Sequence, residues 1–191
     1  SLSEITDGTF SGCKNLQSLI IPEGVTYIGK YAFSDCERLA SVSLPNSLSE
    51  ITDGTFSGCK NLQSVIIPEG VTRIGEYAFS RCEELVSVSL PSSLLEIGKS
   101  AFSECKNLRS IVIPEGVTHI GEHTFADCES LQSVSLPSSL LEIGEWEFAG
   151  CKNLQSIVIP EGMMHIGERA FMDCQSLQLI SLSSSLFEIG E

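Results

Sequence analysis

A cysteine stands at every 23rd position: Cys13, Cys36, Cys59, Cys82, Cys105, Cys128, Cys151 and Cys174. Phenylalanine keeps the same interval three residues ahead of it, from Phe10 to Phe171, and proline does so from Pro22 to Pro160, with Ser183 in the eighth place. Self-similarity at a fixed period of this length marks a repeat architecture. So short a unit cannot bury its own apolar side and becomes stable only by stacking on its neighbours. The period runs through all 191 residues without a linker or a shift in composition, which predicts a single array, 1–191, of slightly more than eight units. The opening "SLSEITDGTF" recurs letter for letter at 47–56, and the last unit stops at "SSLFEIGE". The array is therefore expected to be a slice of a longer protein, with open ends that associate end to end.

Within the unit, "LQSVSLP" (131–137) alternates so that Val134 and Leu136 turn inward and Ser135 outward. Proline, which has no N–H for a ladder, ends the strand at Pro137. A second short extended piece, "LLEIG" (140–144), follows. In "EWEFAGC", Phe148 and Cys151 are three residues apart, a spacing that suits one helical or 3₁₀ turn. Each unit is thus expected to make one coil of a solenoid, its strands adding to a parallel sheet with about 4.8 Å between rungs.

Stacking at this period puts the eight cysteines in one column. Side chains standing parallel in a stack seldom offer the near-perpendicular torsion of a disulfide. A metal site asks for C-x-x-C or converging Cys/His pairs, which are missing here. A nucleophile needs one activated thiol beside a base, whereas eight equivalent ones suit packing. The cysteines are read as small buried hydrophobes behind Phe and Leu. Unpaired thiols fit an anaerobe or a reducing compartment better than an oxidising exterior.

Units also alternate in type, giving a second period of 46. Odd units read "CKNLQS" and then "IPEG", with Arg109 replacing Gln in the unit at 105; even units such as 82–98 and 128–144 carry "SVSLPSSLLEIG". The residue after cysteine runs Lys14, Glu37, Lys60, Glu83, Lys106, Glu129, Lys152, a ladder of opposite charges that fixes register. The outward strand position runs Ile20, Ser43, Ile66, Ser89, Val112, Ser135, Val158, Ser181. Either β-branched residues simply suit strands there, or the stripe is a partner-binding face from which water leaves on docking. It is the candidate site. The column Glu50, Arg73, Glu96, His119, Glu142, His165, Glu188 places His119, Glu142 and His165 on consecutive rungs; a solvated ion-pair ladder is favoured there over a shared cation. Trp146, the only tryptophan, is either an anchor for a partner or an incidental exposed aromatic.

The strand-end "LP" or "IP", the "IG", and the "AF" before cysteine resemble the BspA-like leucine-rich repeats of the 23-residue, Treponema type. "IPEGVTRIGEYAFSRC" (67–82) and "IPEGVTHIGEHTFADC" (113–128) lie close to that pattern, and the resemblance covers essentially the whole chain. It implies a curved, right-handed leucine-rich-repeat solenoid with a parallel β-sheet, short second strands and short helical or 3₁₀ turns. It also implies a cell-surface or secreted protein that binds host surface or matrix proteins in adhesion. The chain departs from the commonest leucine-rich repeats, which place an asparagine after the strand; Pro-Glu-Gly or Pro-Ser-Ser stands there instead.

The net charge of −14, with 11 basic residues, provides no basic stripe for nucleic acid. No apolar run approaches the roughly 18 residues of a membrane span, so no membrane insertion is expected. Repetition gives columns of like residues rather than unlike groups converging in a pocket, and G-x-S-x-G, G-x-G-x-x-G, P-loop and H-E-x-x-H motifs are missing. No catalytic residue, cofactor or metal is therefore expected. The function read from the sequence is a protein-binding or adhesion module; the alternative is a passive spacer within a larger surface protein. An ice-binding face would need regular threonine ranks, and Thr26, Thr72 and Thr118 recur only on every second rung.

Overall fold

Valine, isoleucine and serine alternate before each proline, and in the computed structural model, which describes residues 2–190, these pieces form one row of short parallel strands. The three-residue face strands are β2 (Ser18–Ile20), β4 (Ser41–Ser43), β6 (Ser64–Ile66), β8 (Ser87–Ser89), β10 (Ser110–Val112), β12 (Ser133–Ser135), β14 (Ser156–Val158) and β16 (Leu179–Ser181). Two-residue flank strands form a second row: β1 (Glu4–Ile5), β3 (Tyr27–Ile28), β5 (Glu50–Ile51), β7 (Arg73–Ile74), β9 (Glu96–Ile97), β11 (His119–Ile120), β13 (Glu142–Ile143), β15 (His165–Ile166) and β17 (Glu188–Ile189). Every pairing is parallel and joins residues 23 apart, as in Ile20↔Ser43 and Glu50↔Arg73. The architecture is a leucine-rich-repeat-type solenoid of about eight coils.

The core is a set of columns. Phenylalanine rings from Phe10 to Phe171 stack with centroids 5.2–5.7 Å apart and planes within 15° of parallel. Such offset stacks add to the burial of large apolar area. Cys36 to Cys151 are fully buried beside them, and Cys13 and Cys174 lie at the two ends of the column. All eight are free thiols. Each from Cys36 onward donates its Sγ–H to the carbonyl of the phenylalanine 26 residues earlier, at 3.2–3.3 Å. The sulfur therefore caps a backbone acceptor as well as filling space.

The expected helical or 3₁₀ turn before each cysteine does not form; the described residues contain no helix. Backbone hydrogen bonds explain the difference. Ala32, Ser34 and Cys36 donate within their own rung, to Gly29, Tyr31 and Phe33, whereas Tyr31, Phe33 and Asp35 donate to Asp53, Thr55 and Ser57 on the next. Sending every other N–H along the stack requires left-handed backbone at two positions per turn, such as Tyr31 (φ 56°) and Asp35 (φ 55°). A continuous helix cannot accommodate that alternation. The turn thus becomes a third inter-rung ladder.

Candidate functional site

Face strands β2 to β14 present their first and third residues to solvent and turn the middle one inward, whereas all three residues of β16 are exposed. Ile20, Ile66, Val112 and Val158 occupy the third position with exposures of 80%, 74%, 68% and 65%. Ser43, Ser89, Ser135 and Ser181 are exposed between them, so all eight candidate residues lie in one column on one face. The first position adds a parallel column of serine from Ser18 to Ser156, with Leu179 last. No charged residue occupies either exposed strand column, in a chain with 25 acidic side chains.

The face is divided into pairs of rungs. Within a pair, face strands match over three residues: β2 with β4, β6 with β8, β10 with β12 and β14 with β16. Between pairs, β4–β6 and β8–β10 do not join, and β12–β14 share only Ser133↔Ser156. The ladder just before the strand shows the same alternation. Ala40, Val86, Gln132 and Gln178 N–H groups reach the preceding rung at 2.8–2.9 Å, but those of Gln63, Arg109 and Gln155 do so at 3.3–3.4 Å. At the first seam a groove of about 330 Å³ opens on the face between Val42, Leu44, Ile66 and Pro68.

The corner after each proline accounts for the pairing. Glu69 of an odd unit accepts from the Ser92 N–H (3.3 Å) and Oγ (3.0 Å) of the next even unit. Ser93 accepts from Gly70 N–H (3.0 Å) and donates to the Val71 carbonyl (2.8 Å). Glu115 with Ser138 and Glu161 with Ser184 repeat the carboxylate contact, as does Glu23 with Asn46. Bonds from the Ser184 N–H and hydroxyl hold the Glu161 carboxyl below the usual range. "PEG" and "PSS" are therefore complementary halves of one contact. Their alternation in step with the aliphatic stripe was the sequence signal for it.

The other candidate columns resolve as ion pairs and stacks. Lys14–Glu37 (3.0 Å), Lys60–Glu83 (3.9 Å), Lys106–Glu83 (3.4 Å) and Lys152–Glu129 (3.3 Å) make the expected charge ladder. Arg73 pairs with Glu50 and Glu96 at 3.6 Å each and with Asp53 at 3.3 Å. Glu142 and His165 are register partners, but His119 and Glu142 are not, and His165 Nδ1 faces Glu188 at 3.5 Å. Among the described residues no group of three His, Cys, Asp or Glu side chains is placed to hold a metal ion. Trp146 is half-buried, stacked on His123 (6.0 Å) with the Arg169 guanidinium 4.9 Å from its ring centre. Burial pushes the thiols of Cys59, Cys82, Cys105, Cys128 and Cys151 far up, and that of Cys174 to about 11, away from nucleophilic use. At the ends of the stack, Leu2 and Phe10 on one side and Leu182, Phe187 and Ile189 on the other leave core edges exposed. No helix among the described residues is long and apolar enough to cross a membrane.

Comparison with known proteins agrees with this architecture. Residues 3–130 and 95–191 match the BspA type leucine rich repeat region in six copies. A leucine-rich repeat protein from Bacteroides ovatus is 32% identical, with a TM-score of 0.78 over 98% of this chain and 54% of that one. A leucine rich cell surface protein from Faecalibacterium prausnitzii is also 32% identical (TM-score 0.60, 97% of this chain and 59% of that one). The leucine-rich repeat protein of T. pallidum is 29% identical (TM-score 0.65, 92% and 71%). The chain thus spans little more than half the length of the first two. No curated protein matches it.

Proposed function

The chain belongs to the BspA-type leucine-rich repeat family, and we propose that it serves as a non-catalytic protein-binding module of a cell-surface or secreted adhesion protein, using the face strands as its contact. One observation carries this reading: over eight rungs an otherwise acidic array keeps an uncharged face on which aliphatic side chains stand 65–80% exposed on alternate rungs. Strand propensity alone explains β-branched residues but not their confinement to every second rung. Depletion of charge at the centre of a patch is what protein interfaces show. A polar-spaced aliphatic ridge that runs the length of the array suits a protein partner better than a small molecule, which calls for an enclosing pocket. The Faecalibacterium relative, a cell surface protein, supports the proposed location.

The test is capture from host-cell surface and matrix extracts by immobilised protein beside an Ile66→Glu, Val112→Glu, Val158→Glu variant with unchanged circular dichroism. A partner bound by the parent and lost by the variant is expected. Equal capture by both moves the contact off this face, and capture by neither leaves a spacer.

A further inference from the structure

The position just before each phenylalanine is filled by Thr9, Ala32, Thr55, Ala78, Ala101, Thr124, Glu147 and Ala170. Small side chains are needed because this column points into the stack: Ala32, Thr55, Ala78, Ala101, Thr124 and Ala170 are all buried. The buried hydroxyls are satisfied, Thr55 Oγ1 by the Thr52 carbonyl (2.8 Å) and Thr124 Oγ1 by those of Gly121 (2.7 Å) and Gly98 (3.1 Å). Glu147 breaks the pattern. It is 1% exposed, and neither carboxyl oxygen accepts a well-formed hydrogen bond; only the Thr124 backbone N–H lies near enough to favour the charged form, and burial outweighs it. On the rung beneath, His123 Nδ1 is likewise buried without a hydrogen-bond partner.

The rungs have parted around it. Elsewhere the glycine after each flank strand packs so closely that an added Cβ would stand 2.3–2.7 Å from the backbone nitrogen of the rung below, as at Gly75, Gly98, Gly121 and Gly167. At Gly144 that distance is 3.6 Å, and the Glu147 Oε2 fills the space at 3.3 Å. Gly98 and Gly121 donate to Ile74 and Ile97 at 2.8 Å, but no such bond runs from Gly144 to Ile120, nor from Leu141 to Thr118. The flank sheet ends between β11 and β13, where a groove of about 270 Å³ lies along the gap. A second interruption, between β3 and β5, is compensated: Thr52 Oγ1 donates to the Ile28 carbonyl at 2.7 Å and Lys30 pairs with Asp53 at 2.8 Å. Among the described residues, no ion pair crosses the β11–β13 step. Face strands β10 and β12 and the turn bonds Phe125–Glu147 and Asp127–Ala149 still hold the other sides of that step.

We propose that Glu147 makes this step a proton-gated joint: closed while its carboxyl is neutral, and free to part along the flank strands once the carboxyl ionises. Burial raises the carboxyl well above its usual range. Of the titratable groups on this and the adjoining rungs, the neutral Cys128 and Cys151 thiols lie close enough to interact with it, and none of His123, Glu122, Glu168 and Arg169 supplies a bond to its oxygens. The open joint ionises at an ordinary glutamate pKa of about 4.3, the closed one far higher. Each pH unit between the two therefore favours opening about tenfold more, and acid keeps the joint shut.

Hydrogen exchange from pH 5 to 7, with intrinsic amide chemistry divided out, tests this in the parent, Glu147→Ala and Glu147→Gln. Protection of the His123 and Phe125 amides, which donate across this step to Glu145 and Glu147, is expected to fall about tenfold per pH unit in the parent relative to Tyr77 and Phe79, which donate in the same way to Lys99 and Ala101, and to stay flat in both variants. Alanine fits the column, and glutamine keeps the bulk without the proton. A slope that survives in either variant, or variants that differ from the parent only in the level of protection, would overturn the proposal.

Discussion

Along the phenylalanine side every step of the array resembles the next; along the face strands only every second step does. Ring spacings in the Phe column vary between 5.2 and 5.7 Å without regard to odd or even units. On the face, by contrast, close pairing, corner bonds and aliphatic exposure all switch with a period of 46 residues. A 23-residue period is what close packing requires, since a buried ring must meet the same neighbour on each rung. The doubled period reaches inward from the face as far as the middle strand residues, Val65, Ile111 and Ile157 being buried where Val42, Val88 and Val134 are only partly so. The working unit of the face is therefore a pair of rungs, while the unit of the ring column is one.

The largest effect that could break this contrast lies in the ring column. Phe79→Ala and Phe102→Ala belong to an odd and an even unit, yet each is expected to cost about 3–5 kcal/mol of array stability. Urea unfolding followed by circular dichroism should show the two losses equal; a clear odd–even difference would carry the doubled period into the ring column. A smaller effect sharpens the face side. Ser93→Ala removes the bonds to Gly70 and Val71 and is expected to cost about 1–2 kcal/mol. Ser89→Ala, on the same rung but exposed, should stay within about 0.5 kcal/mol in the same assay. The smallest change is Glu83→Gln, which cancels the pairs to Lys60 and Lys106. A loss of no more than about 1 kcal/mol that fades with added salt is expected, read from thermal midpoints at low and high ionic strength.

Much of this fold was legible because repetition turns spacing into contact. Residues 23 apart had to be neighbours, which placed Phe, Cys and Pro in columns and set Ser135 outward and Val134 inward without any structural measurement. The turn before each cysteine was not legible. Left-handed backbone is usually announced by glycine, and here Tyr31, Ser100, His123, Trp146 and Arg169 adopt it, held by bonds to adjacent rungs. The candidate face was legible as a stripe and its alternation as a period of 46, but the contact that joins two rungs was not, because the sequence does not say that Glu69 reaches across to Ser92. Glu147 stands among acidic residues in "GEWEF" and looks solvated; only the depth of the column it enters reveals the misfit.

The column of sulfur amounts to a ruler for fraying. Cys13 is open to solvent, Cys174 is partly covered, and Cys36 through Cys151 have no exposed surface at all. In a stack whose rungs touch only their neighbours, a thiol reagent meets the outermost sulfur first and reaches Cys82 or Cys105 only after several coils have let go. The order in which the eight thiols react thus records, rung by rung, how far the array unwinds from each end.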